Sequence, residues 1–146
     1  MHMDKFDPLK LDNQLCFPLY VAAKETIKLY RPLLDELNLT YTQYLAMMCF
    51  WEHRQLSVKE LGEKLYLDSG TLTPVLKSLE AKGFVRRRRS MSDERVLLVE
   101  VTDDGQALRE CALPIPGIMA GHIVLSPEDT QTLYRLLREL LKGIEH

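Results

Sequence analysis

One cysteine near the front of the chain could do redox chemistry. In Asn13-Gln14-Leu15-Cys16-Phe17-Pro18-Leu19-Tyr20, Cys16 falls within the first turns of a helical pattern. Unpaired backbone N–H groups and the helix dipole there favour a thiolate, the nucleophilic form of the thiol. A free cysteine is more often a small buried hydrophobe, and type and position alone leave both readings open. A second set could hold phosphate. Arg86, Arg87, Arg88 and Arg89 run consecutively, and Arg95 follows the polar stretch Ser90-Met91-Ser92-Asp93-Glu94. Asp93 could hold the Arg95 guanidinium in a bidentate pair. Upstream, Ser69, Thr71 and Thr73 are short hydrogen-bonding side chains near a helix start, and Lys77 adds charge one turn on. A solvated charge run is the bland alternative for the arginines, and alternate strand residues must face the protein in any case.

The elements that position these residues can be read between Leu56 and Thr102. Ser57 and Glu60 form a capping box, flanked by Leu56 and Leu61 as a hydrophobic staple. Val58, Leu61 and Leu65 then share one helical face. Asp68 caps a second helix, stapled by Leu67 and Leu72, which runs to Lys82 and stops at Gly83. Its Leu72, Val75, Leu76 and Leu79 must be buried, while Ser69, Thr73, Lys77 and Glu80 lie on another face. Two short helices with a tight turn read as a helix-turn-helix with a recognition helix. An ordinary helical hairpin fits this piece equally well. The strand patterns over 84–90 and 95–102 tip the balance, because a basic β-hairpin directly after such a helix is a wing. An arginine at its tip suits a narrow minor groove.

The flanks read as helical arms. An apolar stripe runs from Leu11 through Leu15, Leu19, Ile27 and Tyr30 to Leu37, with Asp12 as N-cap and bends expected at Pro18 and Pro32. The segment 4–10 reads as a loose polar arm. Tyr41 opens a helix that is apolar nearly all round, with Thr42 as its cap, so that helix belongs in the core and Cys49 within it is inert. Thr102 caps a further helix that must end or kink near Leu113. Ser126-Pro127-Glu128-Asp129 opens the last one, striped by Leu133, Leu136, Leu137, Leu140, Leu141 and Ile144.

Composition agrees. The 146 residues suit one domain, and the net charge is −2. Residues 57–102 hold nine Lys/Arg against seven Asp/Glu, and the remainder ten against fourteen, so the basic excess is local. That pattern fits one face meeting phosphate. Three cysteines without framework spacing point to a reducing cytosol, hence a cytoplasmic protein. No apolar run suits a membrane span and no signal peptide is apparent. His2, His53, His122 and His146 are scattered, and no metal or cofactor is expected.

The wing pattern Asp93-Glu94-Arg95 and the downstream Thr102-Asp103-Asp104-Gly105 resemble the signature of the multiple-antibiotic-resistance regulator (MarR) family. The resemblance implies a mainly α fold with a small β-hairpin wing and a dimeric transcription regulator. Residues 1–146 then form one domain: 56–102 the winged helix, 11–37 and 103–146 the dimerisation helices. It implies double-stranded DNA with an inverted-repeat operator as partner. The expected DNA contacts are Ser69, Thr71, Thr73, Lys77, Arg87, Asp93 and Arg95.

Asn13-Gln14-Leu15-Cys16-Phe17, the tyrosines Tyr20, Tyr30 and Tyr41, and Leu67-Asp68-Ser69-Gly70-Thr71-Leu72-Thr73-Pro74 are similar to the organic hydroperoxide resistance branch of that family. In that branch the cysteine is the peroxide sensor. Tyrosines placed like Tyr30 and Tyr41 hydrogen-bond it from the other subunit, and one like Tyr20 moves on oxidation. Cys16 and Tyr30 lie about 21 Å apart along a straight helix, so they cannot touch within it. They can touch if two first helices cross antiparallel in a symmetric dimer, and a core aromatic with its hydroxyl at the rim is the bland alternative for each tyrosine. Some relatives use a resolving cysteine on a later helix. Cys111 lies too early for it, so capping of the sulfenic acid by a low-molecular-weight thiol is expected.

The leading function is therefore a repressor that senses organic hydroperoxide through Cys16 and releases its operator. The alternative is a repressor released by a phenolic or other small ligand, with Cys16 a spectator. A thiol peroxidase is the enzyme reading. It lacks support from any CxxC pair, phosphate loop or metal spacing, and the expectation is no enzyme.

Overall fold

Reciprocal capping boxes decide where two of the central helices begin. Thr40 Oγ1 accepts from the Gln43 N–H at 3.2 Å while Gln43 Oε1 accepts from the Thr40 N–H at 3.0 Å, opening α2 (Tyr41–His53). Ser57 and Glu60 do the same for α3 (Val58–Leu65), both at 3.0 Å. Each box satisfies N–H groups that a helix start leaves over, worth about 1 kcal/mol. The cap of α2 is thus Thr40, and the expected cap Thr42 lies inside the helix. Asp68 caps α4 (Ser69–Ala81), its Oδ1 accepting from the Thr71 N–H at 2.7 Å. Thr102 and Ser126 cap α5 (Asp103–Ala112) and α7 (Pro127–Ile144) as expected.

The computed structural model describes residues 4–145. It comprises two compact units, divided between Leu113 and Pro114. The first opens with short 3-10 turns at Asp7–Leu9 and Leu11–Asn13, and then α1 (Cys16–Asp35). These turns replace the loose arm and the early helix start that the sequence suggests. The Asn13 amide donates to the Asp7 carbonyl at 2.8 Å, and the Gln14 amide to those of Pro8 and Lys10 at 2.6 and 2.8 Å. These bonds fold the segment back locally, so Asp12 caps no α-helix. Neither proline breaks α1: Pro18 sits in its first turn, where an N–H has no intrahelical acceptor, and the helix continues past Pro32 to Asp35.

A three-stranded antiparallel sheet in the order β1-β3-β2 completes the first unit. β2 (Val85–Arg89) pairs with β3 (Leu97–Val101), with Arg87 opposite Val99. β1 (Gln55–Ser57) pairs on the other edge, with Leu56 opposite Val99. β1 is too short to show an alternation, and the sequence shows it only as the staple residue Leu56. Gly83, at φ +82°, takes the left-handed turn from α4 into β2. Phe50, Leu34, Met47, Leu61, Leu72, Leu76, Leu79 and Val99 are fully buried. A buried Leu, Val or Phe side chain contributes about 1.5–3 kcal/mol. This core therefore fixes α3, α4 and the sheet as one body around α2.

The second unit holds α6 (Ile115–Ala120), which the sequence does not announce, and α7. Pro114 and Pro116 stop α5 but suit the first turn of a new helix. Among the described residues no helix is long and apolar enough to cross a membrane.

Candidate functional site

The recognition helix and wing share one face. Ser69, Thr71 and Lys77 are exposed on α4. Thr73 is half-buried, its hydroxyl donating to the Ser69 carbonyl at 2.7 Å. A cleft of about 660 Å³ opens between α3, the start of α4 and the wing, and Ser57, Lys59, Ser69, Thr73 and Arg95 line it. The structure thus brings Ser69, Thr73 and Arg95 together although they are far apart in sequence.

The wing tip is built around Asp93. Its Oδ1 accepts from the Arg95 backbone N–H at 3.0 Å and from Nε at 3.1 Å, and its Oδ2 from a terminal guanidinium nitrogen at 3.3 Å. The Arg95 guanidinium beside it, followed by the Arg95 N–H, holds the Asp93 carboxyl below its ordinary value. The Arg95 side chain is 90% exposed, so the pair orients a solvated cation instead of burying one.

The four arginines of β2 divide. Arg86 and Arg88 lean on Glu100 at 3.4 and 3.9 Å, and Arg88 also donates to Gln55 at 2.8 Å. Arg89 makes no ion pair among the described residues and is exposed. Arg87 is different. Its Nε and a terminal nitrogen donate to Glu80 Oε1 at 3.1 and 3.0 Å, and its backbone N–H donates to Oε2 at 3.1 Å. Expected as a DNA contact, its guanidinium is here engaged by Glu80 of the recognition helix and half-buried. Those bonds hold the Glu80 carboxyl below its ordinary value, the side-chain bonds first. The alternation of β2 already requires some of the arginines to face inward, but nothing in the sequence pairs Arg87 with Glu80.

Redox-capable residues lie elsewhere. Cys16 is the first residue of α1, exposed, at an end that no side chain caps. Tyr20, one turn on, is 61% exposed, with the Lys24 ammonium 5.4 Å from its ring centroid. Tyr30 and Tyr41 pack with centroids 4.9 Å apart. Tyr44 lies 5.8 Å from Tyr30 and 6.4 Å from Tyr41, and Trp51 meets Tyr44 edge-on at 6.3 Å. The Trp51 indole donates to the Gly105 carbonyl at 2.8 Å. Burial, then the neighbouring Tyr30, pushes the Tyr41 hydroxyl up, so it stays a protonated donor at neutral pH. Tyr30 and Tyr41 therefore meet within one protomer. Cys16 does not join them there, since it lies fourteen residues up α1 from Tyr30, about 21 Å at the helical rise. Cys49 is half-buried in α2, and burial pushes its thiol up. Cys111 is exposed on α5.

Comparison with known proteins places the chain in a family. The family model described as "Transcriptional regulator SarA/Rot" matches residues 28–110. The organic hydroperoxide resistance transcriptional regulator of Bacillus subtilis (strain 168) is 52% identical over 97% of this chain and 96% of its own length. The chain belongs to the MarR family, in its organic hydroperoxide resistance branch. Reduced AbfR bound to DNA superposes with a TM-score of 0.79 at 33% identity, over 97% of this chain and 99% of that one. A mutant MarR from E. coli, complexed with operator DNA, reaches 0.82 at 25% identity, over 95% and 99%.

As a member of that branch the chain is a DNA-binding transcriptional regulator, not an enzyme. Two residues of the site escape a reading of the regulator's sequence. Tyr44 reads as core, and Glu80 as part of the solvated face. Only the apolar pattern around Tyr44 gave any sign. Among the described residues no cluster of His, Cys, Asp and Glu is arranged to hold a metal ion. His2 and His146 lie outside those residues.

Proposed function

We propose that this regulator represses by occupying an inverted-repeat operator as a homodimer and lets go when organic hydroperoxide oxidises Cys16. Ser69, Thr71, Thr73 and Lys77 present α4 to the major groove, and Arg95, oriented by Asp93, enters the adjacent minor groove. Arg87 acts as a brace that fixes the wing to α4. The observation that carries the DNA half of the reading is the shared cleft of Ser69, Thr73 and Arg95.

The redox half rests on the exposed Cys16 at an uncapped helix start and on the Tyr30–Tyr41 pair further down the same helix. In a two-fold dimer with antiparallel α1 helices, each cysteine meets the partner's tyrosine pair, and the contact occurs twice. The thiolate attacks one peroxide oxygen, the O–O bond breaks, and the leaving alkoxide takes a proton to become an alcohol. Cys16 is then a sulfenic acid. A low-molecular-weight thiol displaces hydroxide from it, giving a mixed disulfide and water. The added group pushes the tyrosines apart and changes the spacing of the two recognition helices. A loss of about 3 kcal/mol in the DNA complex is enough, since each 1.4 kcal/mol is tenfold in affinity.

The test is operator binding under organic hydroperoxide plus a small thiol. Cys16→Ser should stay bound at any dose that releases the parent protein. Tyr30→Phe and Tyr41→Phe should bind DNA within about threefold of the parent, the net worth of one hydrogen bond, yet need more peroxide for release. If Cys16→Ser lets go as readily as the parent, release by a small ligand replaces this reading.

A further inference from the structure

Gln43 does more than its capping box requires. The corresponding residue of the other box, Glu60, is exposed and uses its carboxylate locally. Gln43 is only 4% exposed and faces away from solvent. Its Oε1 accepts twice, from the Thr40 N–H at 3.0 Å and from the Lys82 ammonium at 2.9 Å. Its Nε2 donates to Ser78 Oγ at 2.9 Å. Lys82 in turn donates to the Asn38 carbonyl at 2.5 Å, where the chain takes a left-handed turn at φ +56°. One buried amide therefore ties the corner between α1 and α2 to the back of the recognition helix, at Ser78 and at its C-cap, Lys82.

A buried amide is a costly way to fill a core position where a leucine would serve, because every polar atom must find a partner. What it adds is direction. Apolar packing between α2 and α4 tolerates small slides. Three hydrogen bonds from one rigid amide fix both elements in register. The corner they grip contains Tyr41, the first residue of α2, whose ring packs on Tyr30.

We propose that Gln43, with Ser78 and Lys82, is the positioning element that couples the Tyr30–Tyr41 corner to the recognition helix. The proposal takes its signal from the sensor reading above, but the tie itself can be tested without peroxide. Coupling between two sites is reciprocal, so DNA bound at α4 must steady the corner as much as the corner steadies α4.

The experiment follows amide hydrogen exchange over residues 41–47, with and without a duplex that the parent protein selects from random-sequence DNA. In the parent, the duplex should slow exchange there by at least about threefold. Ser78→Ala removes one end of the tie without touching the capping box or the DNA-facing side chains. It should bind the duplex within about threefold of the parent, the worth of one hydrogen bond, and show no slowing. Ser78→Thr restores the hydroxyl and should restore the slowing, which a generally loosened fold would not do. Lys82→Met provides the second cut, with the same expected loss, and decides the matter should Ser78→Ala fail to fold. Equal slowing in the parent and in Ser78→Ala overturns the proposal, as does a parent whose corner ignores DNA. Failure of the sensor reading shows separately, as release of Cys16→Ser by peroxide.

Discussion

Glu80 and Arg87 show how a charge that looks solvent-facing becomes part of the scaffold. The Glu80 carboxylate takes three hydrogen bonds from Arg87, two from the guanidinium and one from the backbone. All three favour the ionised form, so the folded carboxyl titrates below its ordinary value. A depressed carboxyl contributes stability that is present above the unfolded value and fades as pH falls through the folded one. Glu80→Gln should therefore lower the unfolding temperature at neutral pH. The gap between parent and variant should close on acidification below the ordinary carboxylate range. Thermal melts of both proteins across that range check it, and a gap that stays constant with pH would rule out the ion pair as its source. Cys16 and the tyrosines make the opposite point. Their identities and order along the chain were legible from sequence because they resemble a known branch. The contact between Tyr30 and Tyr41 was not, since those two rings come together only by folding.

Most elements of the winged segment were legible because each carries a local stop or start: Ser57 with Glu60, Asp68, Gly83 and Thr102. What escaped was non-local. β1 is a strand only because Leu56 finds Val99, more than forty residues on. The 3-10 turns before α1 depend on amides of Asn13 and Gln14 bending back to carbonyls. Gly62 belongs to the same class. It lies inside α3, where glycine costs about 1 kcal/mol against alanine. The turn explains it: a Cβ at Gly62 would stand 2.6 Å from the Leu67 carbonyl oxygen and 3.4 Å from Leu72 Cδ1. The Gly62 carbonyl itself accepts the Leu67 N–H at 3.0 Å, so the backbone is held on both sides. Gly62→Ala gains the helix propensity but must push a backbone oxygen away, at about 1–3 kcal/mol. The clash should win. The variant should be less stable by denaturant melt and should bind DNA more weakly, since the turn sets the angle of α4. A variant more stable than the parent would show that this turn gives way easily.

At the scale of the whole molecule, the most telling surface is the one left uncovered in a single protomer. Along α7, Leu133, Leu136, Leu140, Leu141 and Ile144 are between 38 and 59% exposed. Along α1, Leu19, Ile27 and Leu29 are between 38 and 43% exposed, and Leu15 at its N-cap is 76% exposed. Single exposed apolar residues need no explanation, but two helical stripes of them do. Each stripe by itself is apolar enough to belong to the centre of an interface of the usual size, about 1,600 Å². Symmetry doubles every change: one substitution places two new groups in an isologous interface. If α7 lies in a two-fold interface, Leu140→Asp brings two unpaired carboxylates into it, at a cost of several kcal/mol each. It should convert a dimer into monomers at micromolar concentration, seen by sedimentation velocity. The consequence for DNA follows from geometry. On the proposed reading, a dimer sets two recognition helices about 34 Å apart, one turn of the duplex, with Arg95 directed to the flanking minor groove on each side. A monomer presents one. Leu140→Asp should therefore lose at least about a hundredfold in affinity for the inverted repeat while binding a single half-site as the parent does, the difference being about 2.7 kcal/mol of linked binding. Arg95→Ala should do the reverse, leaving the dimer intact and weakening the half-site and the full repeat alike. Unchanged sedimentation of Leu140→Asp would remove α7 from the interface and leave α1 to hold the dimer alone.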